Sequence, residues 1–196
     1  MKKVSVVIPM YYEQEVAEVC YKRVKKVLDE LKEKYEHEII FINDGSKDKT
    51  LDILQDIAKV DKNVKIISFS RNFGHQAAVT AGLKYVTGDA IIIIDADLQD
   101  PPELIPDMIE KWEQGYEVIY GKRKKRNGES AFKLLTAKAF YTTLNKLSDV
   151  DIPGDTGDFR LVDKKVVDVI NSLPEHNKFL RLSLIHISEP TRLLSI

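Results

Sequence analysis

The sequence lacks the features that identify several large classes of protein. Its single cysteine, Cys20, excludes an intramolecular disulfide framework and fits a reducing compartment. No apolar run approaches the roughly 20 residues that a helix needs to cross a bilayer. Basic residues number 30 and acidic residues 31, so the net charge is −1. Because dedicated nucleic-acid-binding proteins usually carry a basic excess, we expect no nucleic-acid partner.

The composition is that of a folded, soluble protein. Of the 196 residues, 43% are hydrophobic and 31% are charged, which provides enough apolar material for the core of one ordinary domain. The apolar run at 4–8 is too short for a secretory signal and is followed closely by polar residues. It therefore predicts a buried first strand.

Strand-like and helix-like segments alternate along most of the sequence. Runs rich in β-branched residues predict buried strands at 4–8, 38–42, 64–69, 90–94 and 117–120. Apolar residues at helical spacing predict helices at 15–35, 50–60, 74–86 and 103–114. Beyond them we predict a helix over 130–147, a loop over 151–158, a strand over 159–162 and a helix over 163–173. The alternation is typical of an α/β fold, a Rossmann-like and mostly parallel sheet flanked by helices.

The C-terminal segment 182–196 does not fit this pattern. Its sequence, LSLIHISEPTRLLSI, has neither strand alternation nor a helical stripe, and Pro190 interrupts it. We interpret it as a translated cloning or sequencing-adapter segment, with an ordinary disordered C-terminal tail as the alternative. We therefore expect a single catalytic domain over 1–181 and leave 182–196 outside the fold.

A carboxylate cluster follows the most apolar strand of the sequence. Asp95 and Asp97 form a DXD motif, and Gln99 comes two residues later. Two carboxylates this close repel each other unless a cation lies between them, and Mg²⁺ or Mn²⁺ prefers such oxygen ligands and completes its shell with phosphate oxygens. The alternative is an exposed acidic turn before a helix, where Asp is favourable in any case. The apolar strand behind the cluster and the two prolines after it favour the metal.

Other strand ends carry residues suited to a nucleotide, because ligands bind beyond the carboxyl ends of parallel strands. Asp44 could accept hydrogen bonds from a nucleobase or ribose, although Asn-Asp-Gly-Ser is also good turn chemistry in which Ser46 would cap the next helix. Tyr11 offers a ring that could stack on a base. Arg71 could meet a phosphate near a helix N-terminus that begins at Gly74.

Three further features bear on the site. His75 has no second histidine at ligand spacing, so we expect a structural or hydrogen-bonding role for it rather than a metal-binding one. The basic run 122–126 is typical of a solvated loop, except that Arg123 could reach a diphosphate; its other charges, with Lys133, could attract an anionic membrane surface. The Gly-flanked loop GDTGDFR carries Asp155 and Asp158, either of which could lie close to a bound substrate as a general base.

Six segments together resemble the family 2 glycosyltransferases with a GT-A fold, and within them the branch that acts on polyprenyl phosphates. They are VSVVIPMYYEQE, EIIFINDGSKDKT, SFSRNFGHQAAVTAGL, GDAIIIIDADLQDPPELIP, YGKRKKRNGESAFKLLT and GDTGDFRLVDKKVVD. They occur in the family's order between residue 4 and residue 181. The combination of DADLQDPPE with SRNFGHQAA is highly specific.

The resemblance implies an inverting transfer of a sugar from a nucleotide sugar to a polyprenyl phosphate, dependent on Mg²⁺ or Mn²⁺. The donor would be UDP-glucose or a related UDP-sugar, with GDP-mannose as the alternative. The roles implied are nucleotide binding for Pro9, Tyr11, Glu13, Asp44, Asp95 and Ala96; metal binding for Asp95, Asp97 and Gln99; phosphate binding for Arg71, Arg123 and Lys133; and a place at the reacting centre for Asp97 and Asp158. Asp155 is the weaker candidate for that place.

Two departures from the family pattern stand out. Tyr12 occupies a position where the family usually has Asn. The branch usually continues into two transmembrane helices, acting at the cytoplasmic face of the membrane in cell-envelope glycan synthesis, where this sequence enters 182–196. As written, the chain is therefore expected to be soluble. Two other functions remain open, a soluble family 2 transferase with a saccharide or protein acceptor and a non-catalytic nucleotide-sugar-binding module; a homo-oligomer is compatible with each.

Overall fold

The computed structural model describes residues 1–122, 156–173 and 191–195. In these ranges the chain forms a seven-stranded sheet with helices on both faces. The elements in chain order are β1 (Lys2–Met10), α1 (Ala17–Glu30), β2 (Tyr35–Asn43), α2 (Thr50–Val60), β3 (Val64–Ser68), α3 (His75–Tyr85), β4 (Ala90–Ile93), a 3₁₀ turn (Pro102–Leu104), α4 (Ile105–Glu113), β5 (Val118–Lys122), β6 (Thr156–Asp163), α5 (Lys164–Ser172) and β7 (Thr191–Ser195).

The sheet is mostly parallel, as the sequence predicts. Its strand order is β3-β2-β1-β4-β6-β5-β7. Strand β1 runs parallel to β2 and β4, with Val6 opposite both Ile39 and Ile92. Strand β6 is antiparallel to both of its neighbours, β4 and β5. The α/β fold class is therefore confirmed, with one reversed strand that periodicity alone does not reveal.

The chain changes direction across the sheet next to β1. Strands β2 and β3 extend the sheet on one side of β1, and the chain then returns to place β4 on the other side. In such sheets the loops on either side of the reversal diverge and leave a crevice beyond the carboxyl ends of the two strands. This arrangement places the residues after Met10 beside the residues after Ile93.

Two hydrophobic layers hold the helices against the sheet. Helices α1, α2 and α4 cover one face, where Val6, Phe41 and Ile92 lie in the core. Helices α3 and α5 cover the other face, against Val7 and Ile91. Successive residues of each strand point to opposite faces, so a strand buried on both sides must be apolar throughout. For this reason the central strands are continuous β-branched runs in the sequence.

Local differences from the predicted boundaries have physical causes. Helix α1 ends at Glu30, and β2 begins at Tyr35, earlier than predicted, because the Tyr35 ring is buried and its hydroxyl donates a hydrogen bond to Glu113 over 2.5 Å. The first two residues of the helix predicted over 103–114 belong to the 3₁₀ turn, and the chain becomes α-helical at Ile105.

Part of the C-terminal segment lies in the sheet. Residues Thr191–Ser195 form β7, which runs parallel to β5 with Thr191 opposite Val118. We expected 182–196 to lie outside the fold, and β7 departs from that expectation. The backbone of β5 can pair with an extended segment whatever the side chains of that segment are. The helix predicted over 130–147 lies outside the described residues.

The amino-terminal ends of the central strands surround a buried charge. The Glu38 carboxylate accepts hydrogen bonds from Ser5 Oγ and Lys65 Nζ, both at 2.6 Å, and from the Thr87 backbone N–H at 2.7 Å. Burial alone would raise the pKa of Glu38, but these hydrogen bonds outweigh it and hold the pKa at about 2. The network joins β1, β2 and β3 to the turn before β4. It lies towards the amino-terminal ends of these strands, whereas the crevice lies beyond their carboxyl ends.

Within the part of the chain that the structure covers, no helix combines the length and the apolar character needed to cross a bilayer.

Candidate active site

A cavity of about 300 Å³ opens in the crevice beyond the carboxyl ends of β1, β2 and β4. All six residues predicted to bind the nucleotide line it, together with Asp97 and four residues for which the sequence predicts no ligand-binding role. The lining consists of Pro9, Met10, Tyr11, Glu13, Asp44, Asn72, His75, Ala78, Asp95, Ala96 and Asp97. The volume is at the lower end of the range for small-molecule sites.

The DXD loop follows β4 directly. Asp95 and Asp97 are on the cavity wall, with Asp95 about one third exposed. Gln99, the third predicted metal ligand, is exposed in the adjoining turn, and its backbone N–H donates to Asp97 Oδ1 over 3.0 Å. Leu98 lies between them with φ of +58°, an unusual backbone conformation for a branched residue. The turn thus displays the carboxylates at a local cost in backbone energy.

Negative charge is concentrated at one side of the cavity. Burial raises the pKa of Glu13, and the charges of Asp97, Asp48 and Asp95 raise it further. Carboxylates that disfavour one another's ionised form become more stable when a cation binds between them. The carboxylates of Glu13, Asp95 and Asp97 thus supply the cavity wall with oxygen atoms of the kind that Mg²⁺ and Mn²⁺ prefer as ligands.

His75 and Asp158 lie beside the same carboxylates. His75 Nε2 forms a 2.8 Å hydrogen bond with Asp95 Oδ1. One ligand atom from each of His75, Asp95 and Asp158 lies within 4.8 Å of the other two. The hydrogen bond to Asp95 raises the pKa of His75, although burial opposes the shift. His75 thus makes the hydrogen bond expected of it, with the first carboxylate of the DXD motif as its partner. The expectation that it does not bind a metal is not supported, because the same three side chains form a group that could hold a metal ion.

Asp44 lines the cavity but also holds a neighbouring loop. Its carboxylate oxygens accept hydrogen bonds from the backbone N–H groups of Phe73 at 2.7 Å and Gly74 at 2.9 Å. These groups precede α3, so Asp44 positions the start of the helix that carries His75. The alternative role considered for Ser46, capping α2, is wrong. Its Oγ instead accepts the backbone N–H of Tyr12, so it joins two loops of the cavity wall.

One aromatic ring lines the cavity, and two others lie next to lining residues. Tyr11 is exposed and contacts Tyr12 edge to face, with 4.5 Å between ring centroids. The Arg71 guanidinium lies over the Phe73 ring, 4.4 Å from its centroid, next to the lining residue Asn72. Exposed rings at a polar cavity are suited to stacking on a nucleobase.

Sequence reasoning missed Met10, Asn72 and Ala78 as lining residues. Met10 lies at the end of β1, Asn72 in the loop before α3 and Ala78 in the first turn of α3. Their places at the carboxyl ends of predicted strands and at the start of a predicted helix are the signal that could have identified them. Arg123, Lys133 and Asp155 lie outside the described residues, so their predicted roles stay predictions.

Comparison with known sequences identifies close relatives. The chain is 56% identical over 177 residues to a Bacillus subtilis (strain 168) protein named "Uncharacterized glycosyltransferase YkcC", covering 90% of this chain and 54% of that protein. It is 47% identical over 179 residues to the "Bactoprenol glucosyl transferase" of Shigella phage SfX, covering 91% of this chain and 58% of that protein. The chain thus spans little more than half the length of these relatives.

Solved structures of several enzymes share this fold at low sequence identity. A glucosyl-3-phosphoglycerate synthase from Mycobacterium tuberculosis, in complex with Mn²⁺, UDP-glucose and phosphoglyceric acid, is 20% identical with a TM-score of 0.64, over 100% of this chain and 71% of that one. The mannosyltransferase PcManGT from Pyrobaculum calidifontis, in complex with GDP-Man and Mn²⁺, is 18% identical with a TM-score of 0.60, over 88% of this chain and 48% of that one. These similarities establish the GT-A fold.

The family assignment rests on the sequence match. The family model described as "Glycosyl transferase family 2" matches residues 5–170, which include most of β1, all of β2 to β6 and the whole described cavity wall. The chain therefore belongs to glycosyl transferase family 2.

Proposed function

We propose that this chain transfers a sugar, with inversion, from a nucleotide sugar to a polyprenyl phosphate in a reaction that depends on a divalent cation. The observation that carries the proposal is the acidic cavity at the reversal of strand order, where Glu13, Asp95 and Asp97 face a space bordered by Tyr11. A nucleoside diphosphate needs such a combination, because its base requires an apolar ring and its phosphates require a metal held by carboxylates.

The donor nucleotide would lie with its base near Tyr11 and its diphosphate near the DXD loop. When bound, Mg²⁺ or Mn²⁺ supplies positive charge that stabilises the departing nucleoside diphosphate. Asp95 and Asp97 would hold the cation. His75 keeps the Asp95 carboxylate in place through its hydrogen bond, and Asp44 keeps His75 in place through the loop before α3.

UDP-glucose, or a related UDP-sugar, is the donor we propose. The support is the name of the SfX relative, which describes a glucosyl transferase, and the UDP-glucose complex of the synthase that shares the fold. GDP-mannose is the competing donor, because the mannosyltransferase with the same fold binds GDP-Man.

The acceptor we propose is a polyprenyl phosphate, supported by the names of the bactoprenol relatives. We place this reaction at the cytoplasmic face of the membrane as part of the same proposal. One phosphate oxygen of the acceptor would attack the anomeric carbon as the bond from that carbon to the diphosphate oxygen breaks. An ionised phosphate needs no proton removed, so Asp158 would orient the acceptor or the cation rather than act as a base. Its carboxylate lies within 4.8 Å of ligand atoms of Asp95 and His75, which brings it close to the DXD loop.

Donor binding is tested by thermal shift of the purified chain with UDP, GDP, UDP-glucose and GDP-mannose, with and without Mn²⁺. We expect stabilisation only where nucleotide and metal are both present, and we expect Asp97→Ala to abolish it. Asp56→Asn, which changes an exposed aspartate on α2, is the matched control and should respond like the unaltered chain. No response to any nucleotide in the unaltered chain would sink the proposal.

The acceptor is tested with radiolabelled donor and polyprenyl phosphate in detergent. Asp158→Asn should lose transfer while keeping metal-dependent nucleotide binding; loss of both together would show that Asp158 is structural. Transfer to a saccharide or protein acceptor in place of the lipid would favour the soluble transferase. Nucleotide binding without transfer to any acceptor would favour a non-catalytic binding module.

A further inference from the structure

A buried arginine lies immediately beside Asp158. Arg160 is on β6, opposite Ile93 of β4 and Tyr120 of β5, and its side chain is 3% exposed. Burying a guanidinium is costly unless other groups replace the water that it loses. A buried position in an apolar sheet ordinarily carries an aliphatic residue. An arginine at this position therefore indicates a role other than packing.

Two hydrogen bonds of Arg160 go to one residue. Nη2 donates to Asp158 Oδ1 over 2.5 Å, and Nε donates to the Asp158 backbone oxygen over 3.2 Å. The guanidinium also lies over the Tyr120 ring, 5.6 Å from its centroid. Because the planar guanidinium donates to both the side chain and the main chain of Asp158, it restricts rotation of the Asp158 side chain relative to its backbone.

The Asp158 carboxylate spans the boundary between the core and the site. Its side chain is 25% exposed, whereas that of Arg160 is buried. One of its oxygens is close to Asp95 and His75. Arg160 is buried, and its two described hydrogen bonds connect it to the site through Asp158.

We propose that Arg160 is a positioning residue that fixes the carboxylate of Asp158 for sugar transfer. This inference rests on the proposed function, in which Asp158 orients the acceptor or the cation. A carboxylate held by a rigid, buried partner keeps one orientation through the reaction, and misplacement of a reacting group by about 1 Å can cost about 100-fold in rate. Lysine at this position would keep the charge but would lose the planar fork that reaches two oxygens.

The competing role for Arg160 is stabilisation of the fold alone. A merely structural residue would affect folding, donor affinity and transfer together. A positioning residue that acts through Asp158 lowers kcat and leaves donor affinity unchanged, and its removal adds nothing once Asp158 is already changed.

The experiment is a double-mutant cycle in the purified chain. Single-turnover transfer of glucose from UDP-glucose to polyprenyl phosphate is measured for the unaltered chain, Arg160→Gln, Arg160→Lys, Asp158→Asn and the double variant Arg160→Gln/Asp158→Asn. The Kd for UDP with Mn²⁺ and the melting temperature are measured for each. Glu38→Gln is the matched control, because this substitution also removes a buried ionic partner. Glu38 lies towards the amino-terminal ends of the strands, away from the cavity.

We expect Arg160→Gln and Arg160→Lys each to lower the transfer rate by about 10- to 100-fold with the Kd for UDP within about twofold. The double variant should transfer at the rate of Asp158→Asn alone. Glu38→Gln should lower the melting temperature without lowering the rate. If the losses from Arg160 and Asp158 multiply, or if Arg160→Gln keeps its rate, the inference is wrong while the proposed function stands. Absence of transfer by the unaltered chain would overturn both.

Discussion

At the scale of single residues, Tyr12 shows why a family pattern can carry conformational information. Its φ is +58°, in the left-handed region that costs most residues about 1–2 kcal/mol and that Asn tolerates better. The sequence shows that Tyr stands where the family usually has Asn, but only the backbone accounts for the preference. The hydroxyl of Ser46 accepts the Tyr12 backbone N–H and so holds this conformation.

We therefore predict that Tyr12→Asn stabilises the fold. Tyr12 is 48% exposed, so its replacement loses part of its buried area and its contact with Tyr11. Relief of the backbone strain should outweigh this loss and raise the free energy of unfolding by about 0.5 kcal/mol. Urea denaturation of the variant measures the change. Tyr11→Asn is the control, because it removes the same ring contact without a positive φ and should lower stability. A Tyr12→Asn variant that is less stable than the unaltered chain would contradict the strain argument.

At the scale of elements, the cavity depends on loops that pack against one another. Gly45, after β2, has φ of +68°, and a Cβ atom there would lie 2.3 Å from the backbone carbonyl carbon of Arg71. The adjacent Asp44 binds the same loop through its carboxylate. A close backbone approach and two hydrogen bonds thus join the β2–α2 loop to the β3–α3 loop, which leads to His75.

Gly45→Ala should weaken both stability and nucleotide binding. The added methyl group cannot fit without moving the backbone of Arg71, which would displace Asp44 and the start of α3. Gly115→Ala is a matched control: its φ is +97°, and nothing lies within 4 Å of the added Cβ. We expect the control to lose about 1 kcal/mol from backbone strain with its Kd for UDP unchanged, and Gly45→Ala to lose more and to bind UDP at least roughly tenfold more weakly. Equal behaviour of the two variants would show that the contact between the loops does not support the site.

The elements also show what the sequence can and cannot predict. The predicted bounds of α2, 50–60, match the structure, because its apolar stripe is regular and the preceding turn residues are strongly polar. The central strands are predictable because short β-branched runs between turn residues are typical of buried strands. The hydrogen bond from His75 to Asp95 is not predictable in this way, since it joins residues on different elements and leaves no local periodicity. The pairing of β7 with β5 is hidden for a related reason, because backbone pairing does not require a particular side-chain pattern.

At the scale of the whole molecule, the buried Glu38 network links stability to pH. The pKa of Glu38 is about 2 in the folded chain against an ordinary value of 4.5, because it accepts hydrogen bonds from Lys65, Ser5 and Thr87. A carboxyl with a lowered folded-state pKa stabilises the fold above its unfolded pKa. That contribution, on the order of 3 kcal/mol, is lost as the pH falls from about 4.5 to about 2.

Glu38→Gln should remove this contribution at neutral pH and flatten the loss of stability on acidification. The measurement is the free energy of unfolding from urea denaturation at several pH values between about 7 and 2. Asp56→Asn serves as the comparison, since its partner Lys59 and Asp56 itself are both largely exposed and such pairs contribute little. If Glu38→Gln and the unaltered chain lose stability in parallel as the pH falls below the ordinary pKa of a glutamate, the network does not account for the acid sensitivity.

The reversal of strand order beside β1 has a consequence for how this protein family can diversify. Every described residue on the cavity wall comes from the chain before α4, whereas Asp158 and Arg160 come from β6. Among the described residues, those proposed to bind the donor and those proposed to act on the acceptor are encoded in separate stretches of the gene, and the two sets meet where β6 lies against β4. Mutation or recombination in the later stretch can then yield enzymes for new acceptors while the same activated sugar is used, and selection can act on the two halves separately.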